Sequence, residues 1–318
     1  MENNHEKWMV YIRCWTYNHS PYIIETLNGF TMQQTNFPFA CIIVDDHSTD
    51  GEADIIKKYV ASYFDLSNTG GALHEETDDF FRIFAQHKVN KNCFFAVYFL
   101  KYNHYSVKKP KMPYLEEWKK IKYCALCEGD DYWCSPYKLQ RQVDFLESHP
   151  DHSLCFHANY SLYNDGTKKI HRPYTNDAFD CPIQDLILGG GGFMATNSML
   201  FISALGNDYR VWAKSSRVGD GPLMLTLAAR GKVGYINEVM SCYRVATEGS
   251  WTQRVLMDKK KNKEHYKRTL DSWHEYDEWT GYKYHKYIKQ KIRKNKLHFW
   301  IKNNAVLNKI FVLIYKKR

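Results

Sequence analysis

Apolar and polar residues along the first 150 positions follow a pattern that predicts strands alternating with helices. Lys7–Cys14 and Phe39–Val44 are apolar enough to form buried strands, and the segment at 52–64 (EADIIKKYVASYF) has its apolar residues at helical spacing. Phe94–Leu100 and Tyr123–Cys127 predict two further strands. This alternation favours an α/β fold with a doubly wound, mostly parallel sheet.

Two Ser-Pro pairs predict where helices begin. Ser20-Pro21 and Ser135-Pro136 each place a capping residue before a proline at the first helical position. The first of these helices should run toward Gln33. Each helix would then follow directly from the end of a strand.

The second half of the chain has a different pattern. Ser153–Tyr163 predicts a strand before an Asn-Asp-Gly turn at 164–166. A glycine run at 189–192 comes next, and GDGP at 219–222 opens a helix that should end at Gly231 before another strand. From about Val255 onward the pattern is helical, basic and aromatic.

Charge is distributed unevenly over the 318 residues. The formal net charge is +9, but residues 251–318 carry 19 Lys and Arg against 6 Asp and Glu, so residues 1–250 have a net charge of −4. A basic, aromatic C-terminal tail suits docking on an anionic membrane surface. A surface helix packed on the rest of the protein explains it equally well. Nucleic-acid binding fits less well, because no recognised motif accompanies the charge.

Other features of the sequence indicate a globular protein of the cytoplasm. The nine cysteines have no disulfide-framework spacing, and the polar start MENNHEKW predicts no signal peptide. Cys124 and Cys127 form a CxxC within a predicted strand, where they would face opposite sides and could not share a zinc ion. The apolar run AVLNKIFVLIY is shorter than the roughly 20 residues of a membrane span.

Three polar clusters stand at the ends of three predicted strands. They are TYNHS at 16–20, DDHSTDG at 45–51 and EGDDYW at 128–133. Each cluster alone could be a capped loop. Because ligands gather at the carboxyl ends of parallel strands, the coincidence predicts one shared site. The three acids of EGDDYW repel one another unless water, a cation or a positive ligand stabilises them.

These motifs together resemble those of the bacterial family 2 glycosyltransferases, which adopt the glycosyltransferase A fold. The shared motifs run in order as YNHSPYI, VDDHSTDG, LCEGDDYWCSPYKLQRQVDFLESHPD, GDGPLMLTLAARGKVGYI and YR. The resemblance covers roughly residues 7–250 and is weak over 67–118. It implies a catalytic domain at 1–250, with a Rossmann-like nucleotide-sugar-binding half at about 1–135 and an acceptor half at about 136–250. Residues 251–318 would form the helical basic tail.

The resemblance implies a nucleotide site built from the first two polar clusters. Tyr17 would stack on the base, and Asp46 would accept a hydrogen bond from the base, commonly uracil. Asp45 would help to hold the loop. The alternative for both aspartates is an Asx-turn with helix capping. Trp15 stands where a small polar base contact can occur in the family, and this departure leaves the identity of the base open.

The resemblance also implies that the third cluster binds a divalent cation, Mn²⁺ or Mg²⁺. Asp131 is the expected direct ligand, while Asp130 would contact ribose, metal-bound water or the metal itself. Such cations prefer oxygen ligands and need only one or two carboxylates beside phosphates and water. If the strand continues that far, Glu128 and Asp130 share one side and Asp131 faces the other. A solvated acidic turn is the alternative.

The acceptor half contributes one expected catalytic residue and four candidate contacts. Asp220, in GDGP, matches the family's general base, which takes the proton of the acceptor hydroxyl. Its alternative role is to cap the helix that begins near Pro222. Candidate sugar or acceptor contacts are Trp133, Asn197, Ser198 and Arg244. Arg244 could instead pair with a phosphate or with a surface acid.

The resemblance therefore implies an inverting, metal-dependent hexosyltransferase. It would move one sugar, commonly from a UDP-sugar, to a glycan or lipid-linked acceptor of lipopolysaccharide or capsule. Processive relatives carry QxxRW, and WTQR at 251–254 lacks that spacing. The protein would act in the cytoplasm or, as a peripheral protein, at the inner face of the cytoplasmic membrane. One alternative is a sugar nucleotidyltransferase, which should have a glycine-rich phosphate loop after the first strand. The other is a non-catalytic nucleotide- or glycan-binding protein.

Overall fold

The computed structural model describes residues 8–67, 72–175, 179–247, 255 and 258–304, and the chain divides into two compact units. Unit 1 comprises residues 1–181, 194–207 and 230–247, and unit 2 comprises 182–193, 208–229 and 248–318. These compact units are divided differently from the predicted catalytic domain and tail, whose boundary at residue 250 stays a prediction. The predicted tail does not stand apart, because it shares unit 2 with two segments inserted earlier in the chain.

The elements of the described residues agree with most of the predicted pattern. The strands are β1 Val10–Thr16, β2 Phe39–Asp45, β3 Phe64–Asp65, β4 Leu73–Glu76, β5 Phe80–His87, β6 Cys93–Leu100, β7 Tyr123–Leu126, β8 Tyr132–Trp133, β9 His152–Leu162, β10 Lys168–His171, β11 Phe179–Cys181, β12 Leu200–Ile202 and β13 Lys232–Arg244. The helices are α1 Ile23–Thr31, α2 Glu52–Tyr63, α3 Lys138–Ser148, α4 Ile183–Gly189, α5 Ser203–Gly206, α6 Asp220–Arg230, α7 Lys259–Trp279 and α8 His285–Asn303.

Unit 1 is built on one mixed sheet with a parallel centre. Its strand order is β11-β13-β9-β12-β7-β1-β2-β6-β5-β3, and β7, β1, β2 and β6 pair in parallel. The strands toward both edges include antiparallel pairs, such as β12 with β7 and β5 with β6. Every residue of β2 and β6 is buried, as expected for central strands covered on both faces. The predicted α/β sheet is therefore confirmed.

Parallel pairing brings the ends of the central strands into line. Thr16, the last residue of β1, is paired with Asp45, the last residue of β2. On the other side of β1, Arg13 is paired with Leu126, where β7 ends. The polar segments that follow these strands therefore leave the sheet at the same edge.

Both helices predicted to begin at Ser-Pro pairs begin later than expected. α1 begins at Ile23, because the Ser20 N–H donates to Asp50 Oδ2 (2.9 Å) in the neighbouring loop instead of starting a helix. α3 begins at Lys138, and its Leu139 N–H donates to Gln33 Oε1 (3.1 Å). Side chains that are distant in the sequence of unit 1 thus accept hydrogen bonds from backbone N–H groups near the starts of these helices.

Unit 2 is helical, and aromatic side chains, including Tyr276 of the basic tail, pack in its interior. The Tyr276 hydroxyl of α7 donates to the Leu225 carbonyl of α6 (3.0 Å), and Tyr276 is buried. The Trp212 indole N–H donates to Thr226 Oγ1 (2.8 Å), and the Trp212 ring lies 4.9 Å from that of Tyr276. The tail helix α7 is therefore packed against α6.

Within the described residues, no helix is both long enough and apolar enough to cross a bilayer. The apolar run at 305–315 lies outside those residues, as do the polar start at 1–7 and the WTQR segment at 251–254.

Candidate functional site

The three polar clusters lie together at one edge of the sheet in unit 1. The Asn18 N–H donates to Ser48 Oγ (2.9 Å), which joins the segments after β1 and β2. The Gly129 N–H donates to the Trp15 carbonyl (3.0 Å), which places the acidic loop alongside the end of β1. The expectation that these three clusters meet is confirmed.

Gly129 allows the acidic loop to approach β1 this closely. A Cβ atom built at this position would lie 2.0 Å from Thr16 Oγ1 and 2.6 Å from Thr16 Cβ. Thr16 is itself buried in the sheet, so it has no room to withdraw. The EGDD segment therefore requires glycine between its acids for a steric reason.

Glu52, which the sequence did not single out, connects the first two clusters. Its carboxylate is buried and accepts hydrogen bonds from Thr16 Oγ1, from the His19 N–H (2.8 Å) and from Ser48 Oγ (2.9 Å). Glu52 is the first residue of α2, where a carboxylate also interacts favourably with the helix dipole. The sequence signal that could have singled out Glu52 is its position in the first turn of the helix predicted at 52–64.

Asp45 holds its own loop, as expected. Its Oδ1 accepts a hydrogen bond from the Ser48 N–H (3.2 Å) and lies beside the Ser48 hydroxyl, whose single proton can bond to either Asp45 or Glu52. The pKa of Asp45 is raised to about 6, chiefly because the carboxyl group is buried. The hydrogen bond from Ser48 opposes this rise, and the nearby Glu52 carboxylate adds to it. A carboxyl group in this position therefore takes up a proton more readily than an exposed aspartate.

Asp46 is enclosed by a loop of weak sequence pattern at 101–111. The carboxylate is only 1% exposed, and it accepts hydrogen bonds from the His104 N–H (2.7 Å) and the Tyr105 N–H (3.2 Å). The Lys111 ammonium lies 3.0 Å from Asp46 Oδ2. Both carboxylate oxygens therefore have protein donors, and the negative charge has a cation beside it.

Two aromatic residues flank this part of the edge. Tyr17, directly after β1, is 39% exposed, so its ring is accessible for stacking. Trp15 is half-buried, with the Arg13 guanidinium 5.8 Å and the Lys111 ammonium 5.6 Å from its ring centroid. Trp15, which stands where the family can have a small polar residue, thus has two cations facing its ring.

The acidic loop is a turn rather than a continuation of the strand. β7 ends at Leu126, and the Asp131 N–H donates to the Glu128 carbonyl (3.1 Å). The Thr26 hydroxyl of α1 contacts the carbonyls of Gly129 (2.9 Å) and Asp131 (2.6 Å). The condition for a strand-like alternation of the three acids is therefore not met, because the strand ends before it reaches them.

The carboxylates of Asp130 and Asp131 receive hydrogen bonds but have little positive charge beside them. Asp131 Oδ1 accepts from the Arg244 backbone N–H (2.8 Å), and Asp130 Oδ2 accepts from Thr247 Oγ1 (2.9 Å). Among the described residues, neither forms an ion pair with Lys or Arg, and His19 Nε2 lies 3.9 Å from Asp130. Burial, followed by the Asp130 charge, raises the pKa of Asp131 well above its ordinary range. Burial likewise raises the pKa of Glu128 to about 7.

The chemistry of this pair of carboxylates fits a hard divalent cation. Across the described part of the chain, no three His, Cys, Asp or Glu side chains are arranged to hold a metal by themselves. Mg²⁺ and Mn²⁺ can bind through one or two carboxylates when phosphate and water complete the shell. A cation would also offset the effects of burial and of the Asp130 charge, which raise the pKa of Asp131.

Arg244 reinforces the acidic loop from the end of β13. Its guanidinium lies 4.7 Å from the ring centroid of Tyr22 and 4.8 Å from that of Tyr132. It donates to the Asp130 carbonyl (2.5 Å) and to the Glu25 carboxylate. Stacking and two directed hydrogen bonds hold this planar cation in place.

A comparison with protein families matches the part of this edge that contains the first two polar clusters. The family described as glycosyl transferase family 2 matches residues 15–72, which include Tyr17, Asp46 and the whole of α2. The predicted resemblance to family 2 glycosyltransferases is confirmed.

Solved structures extend the likeness beyond the matched segment. A crystal structure of S. aureus TarS residues 1–349 with UDP-GlcNAc is 16% identical, has a TM-score of 0.56, and is matched over 84% of this chain and 66% of that one. The same fragment with UDP gives a TM-score of 0.52 at 16% identity, over 84% and 64% of the two chains. At this identity the likeness concerns the fold, which is that of the glycosyltransferase A group.

Curated relatives are closer in sequence. The uncharacterized protein Rv1520 of Mycobacterium tuberculosis (strain H37Rv) is 31% identical over 236 residues, and so is the uncharacterized protein Mb1547 of Mycobacterium bovis. The match covers 74% of this chain but only 58% of each relative. The chain therefore spans little more than half the length of these relatives.

Three of the candidate sugar contacts lie inside unit 1. Trp133 is 1% exposed, and its indole N–H donates to the Asn197 carbonyl (3.0 Å). The Asn197 amide binds the Cys242 carbonyl (2.8 Å) and accepts from Ser241, while the Ser198 hydroxyl donates to Ala195. These expectations are corrected, because burial and internal hydrogen bonds use up the side chains, and they are left out of the proposed site.

Asp220 lies in unit 2, where it begins α6. Its carboxylate is in the first helical turn, a position favoured by the helix dipole. The two roles expected of it, the general base of a family 2 transferase and a helix-start residue, are compatible with this placement. The base role stays a prediction.

Proposed function

We propose that this chain is a glycosyltransferase that moves a single sugar from a nucleotide-sugar donor to a glycan or lipid-linked acceptor. The observation that carries the proposal is the edge of the sheet in unit 1. There, an accessible Tyr17 and a loop built around Asp46 lie beside two carboxylates that have no Lys or Arg partner among the described residues. This arrangement offers a stacking surface and a cation site within one glycosyltransferase A fold.

The nucleotide would be held by the first two polar clusters. Tyr17 would stack on the base, and Asp46 would contribute either a direct hydrogen bond to the base or the support of the loop that meets it. Because Lys111 already contacts Asp46 Oδ2 at 3.0 Å, a donor group on the base would share that oxygen with Lys111 or displace it. UDP-sugars are the first donors to test, since the TarS fragment of the same fold was solved with UDP-GlcNAc.

The diphosphate would be met by the acidic loop and its cation. Asp131, assisted by Asp130, would hold Mn²⁺ or Mg²⁺, which would act as a Lewis acid and offset the charge of the leaving nucleotide diphosphate. The chain's own part is to keep both carboxylates in place through the Arg244 N–H and the Thr247 hydroxyl. Arg244 would keep a cation close to the same loop and could meet a phosphate.

Asp220 would serve as the general base of an inverting transfer. Its carboxylate would take the proton of the acceptor hydroxyl as that oxygen attacks the anomeric carbon from the side opposite the leaving group. Alignment of the two reactants would supply much of the remaining acceleration.

The acceptor class follows from the basic C-terminal helices. We propose hexose transfer to a surface glycan, such as lipopolysaccharide or capsule, at the cytoplasmic face of a membrane. The excess of Lys and Arg in residues 251–318 supports contact with an anionic, membrane-borne acceptor.

The experiment that tests the proposal measures binding and turnover in turn. UDP-, GDP- and ADP-sugars are screened by thermal shift with and without Mn²⁺, because a ligand at 100 times its Kd stabilises the folded state by about 2.7 kcal/mol. Donors that bind are then assayed for sugar release and transfer. The same measurements are made on Asp131→Asn, which should lose Mn²⁺-dependent turnover. Its matched control is Asp144→Asn, at an exposed carboxylate on α3, which should behave as wild type does. Binding without turnover under any acceptor would favour a non-catalytic nucleotide-binding protein, and absence of nucleotide binding would overturn the proposal.

A further inference from the structure

We propose that the exposed face of α8 binds the surface of an anionic lipid bilayer. The inference rests on the proposed function in one respect, namely that a membrane-borne acceptor gives such docking a purpose. Its physical basis is independent of the reaction and lies in the two faces of α8.

The inner face of α8 is fixed to the rest of unit 2. Ile288 and Ile292 are buried, and the Lys291 ammonium donates to the carbonyls of Leu188 (2.9 Å) and Gly189 (3.1 Å) at the end of α4. Near the other end of the helix, the rings of Tyr266 and Phe299 stack at 3.8 Å between α7 and α8. The helix is therefore held at both ends, and its opposite face is directed outward.

The outer face of α8 is cationic with two large apolar side chains. Each of its residues lies three or four positions from another of them, so they share one side of an α-helix. All six are exposed. They are Lys286, Lys289, Arg293, Lys296, Leu297 and Trp300. α8 contains no Asp or Glu, so no acid on the helix itself offsets these cations.

The apolar pair decides between a bilayer and a soluble polyanion. Leu297 is 56% exposed and Trp300 is 59% exposed, at the same end of the cationic face. A nucleic acid or acidic glycan would satisfy the cations but would leave Leu297 in water. An anionic bilayer meets both needs, because lipid phosphates pair with Lys and Arg while Leu and Trp enter the interfacial layer.

The first experiment measures binding of the full chain to vesicles. Wild-type protein should co-sediment with vesicles containing 30% phosphatidylglycerol and not with pure phosphatidylcholine, and 0.5 M NaCl should weaken the binding. Lys286→Gln, Lys289→Gln and Arg293→Gln combined should lower the partition coefficient about 100-fold, at roughly fivefold per cation. The matched control replaces three exposed lysines of unit 1 (Lys58, Lys91 and Lys120) with Gln and should bind as wild type does.

A second measurement keeps the proposal testable if the triple variant folds poorly. Brominated lipids should quench the fluorescence of wild-type protein more than that of Trp300→Phe, and the difference should vanish without phosphatidylglycerol. Equal binding to neutral and anionic vesicles, equal quenching of the two proteins, or binding to heparin or RNA in preference to vesicles would each overturn the proposal. Vesicle binding requires no donor, so a protein that docks but transfers no sugar would refute the proposed function and leave this inference standing.

Discussion

The ends of β2 and β7 each lead into a pair of adjacent aspartates, yet the second aspartates of the two pairs, Asp46 and Asp131, are in opposite electrostatic environments. In the first loop, Asp46 has two backbone N–H donors and the Lys111 ammonium at 3.0 Å. In the second loop, Asp131 is equally buried but has one backbone donor, from Arg244, and no Lys or Arg ion pair among the described residues. The Arg244 guanidinium instead binds the Asp130 carbonyl and Glu25.

This difference distinguishes a carboxylate that contributes to the stability of the fold, Asp46, from one that we propose binds a cation, Asp131. A buried carboxylate with its donors and cation in place contributes to stability, and its removal leaves partners unsatisfied. A buried carboxylate without a cation has a raised pKa and opposes folding in its charged form. Replacement of Asp46 should therefore lower the unfolding free energy. Replacement of Asp131 should lower sugar transfer without lowering the unfolding free energy.

The largest expected effect is the loss of turnover in Asp131→Asn. Sugar transfer should fall about 10²–10³-fold, the range seen when one electrostatic stabiliser of a transition state is removed. The metal-free unfolding free energy should not decrease, because a neutral amide avoids the burial cost of a charge. Turnover, urea unfolding and Mn²⁺ calorimetry measure the three consequences. Wild-type turnover in this variant, or full wild-type activity in EDTA, would contradict the role of the second loop.

Asp46→Asn should have the opposite signature, with a loss of stability. The unfolding free energy should fall by about 2–3 kcal/mol, since the variant loses charge-assisted hydrogen bonds and the partner of Lys111. Urea unfolding of the metal-free protein measures the change, and Lys111→Met should show at least as large a loss, because it leaves the buried Asp46 carboxylate without its cation. If Asp46→Asn is as stable as wild type, the contrast between the two loops is wrong.

Asp45→Asn should change how the unfolding free energy depends on pH by about 2–3 kcal/mol, at about 1.36 kcal/mol per pKa unit. The folded-state pKa of Asp45, about 6, lies above its ordinary value, so the folded protein binds this proton more tightly. The group therefore contributes stability below about pH 4, and that contribution is lost as the pH rises to about 6. The difference in unfolding free energy between wild type and Asp45→Asn, measured from pH 4 to pH 7, isolates this group from other acids. A constant difference would refute the assignment.

The smallest expected effect is that of Arg244→Lys, with turnover lowered about fivefold. The backbone N–H to Asp131 remains, but an ammonium cannot stack between Tyr22 and Tyr132 while it bonds to Glu25 and the Asp130 carbonyl. A loss in kcat at unchanged donor KM would indicate a positioning role. Arg141→Lys, which alters an exposed pair with Glu238, is the control and should leave kcat unchanged. A change in KM alone would indicate direct contact with the donor.

Features set by local pattern and strand pairing could be predicted from the sequence. The parallel centre of the sheet follows from alternating strand and helix signals, and the meeting of three polar clusters follows from where those strands end. Tyr17 and Asp131 were placed at one edge for this reason. The starts of α1 and α3 were missed by two residues each, and for α3 Gln33 supplies a partner from outside the local sequence.

Residues brought in over long distances could not be predicted in this way. Lys111 is 65 residues from Asp46 and lies in a loop of weak pattern, and nothing in its local sequence indicates an ion pair. Trp133 was misjudged for a related reason. Its position beside two aspartates suggests a sugar contact, but the Lys138 ammonium lies 4.0 Å from its ring and Gly29 allows α1 to pack against its backbone.

The hydrogen bond from Arg244 to Asp131 has a consequence for biosynthesis. It joins residues 113 positions apart, so the acidic loop can take its final form only after β13 has been synthesised and has joined the sheet. Contacts of such separation form late, because the intervening chain must first be ordered. During translation the segments after β1 and β2 can therefore assemble while Asp130 and Asp131 still lack their β13 donors. A ribosome-bound fragment that ends before residue 244 should bind no Mn²⁺.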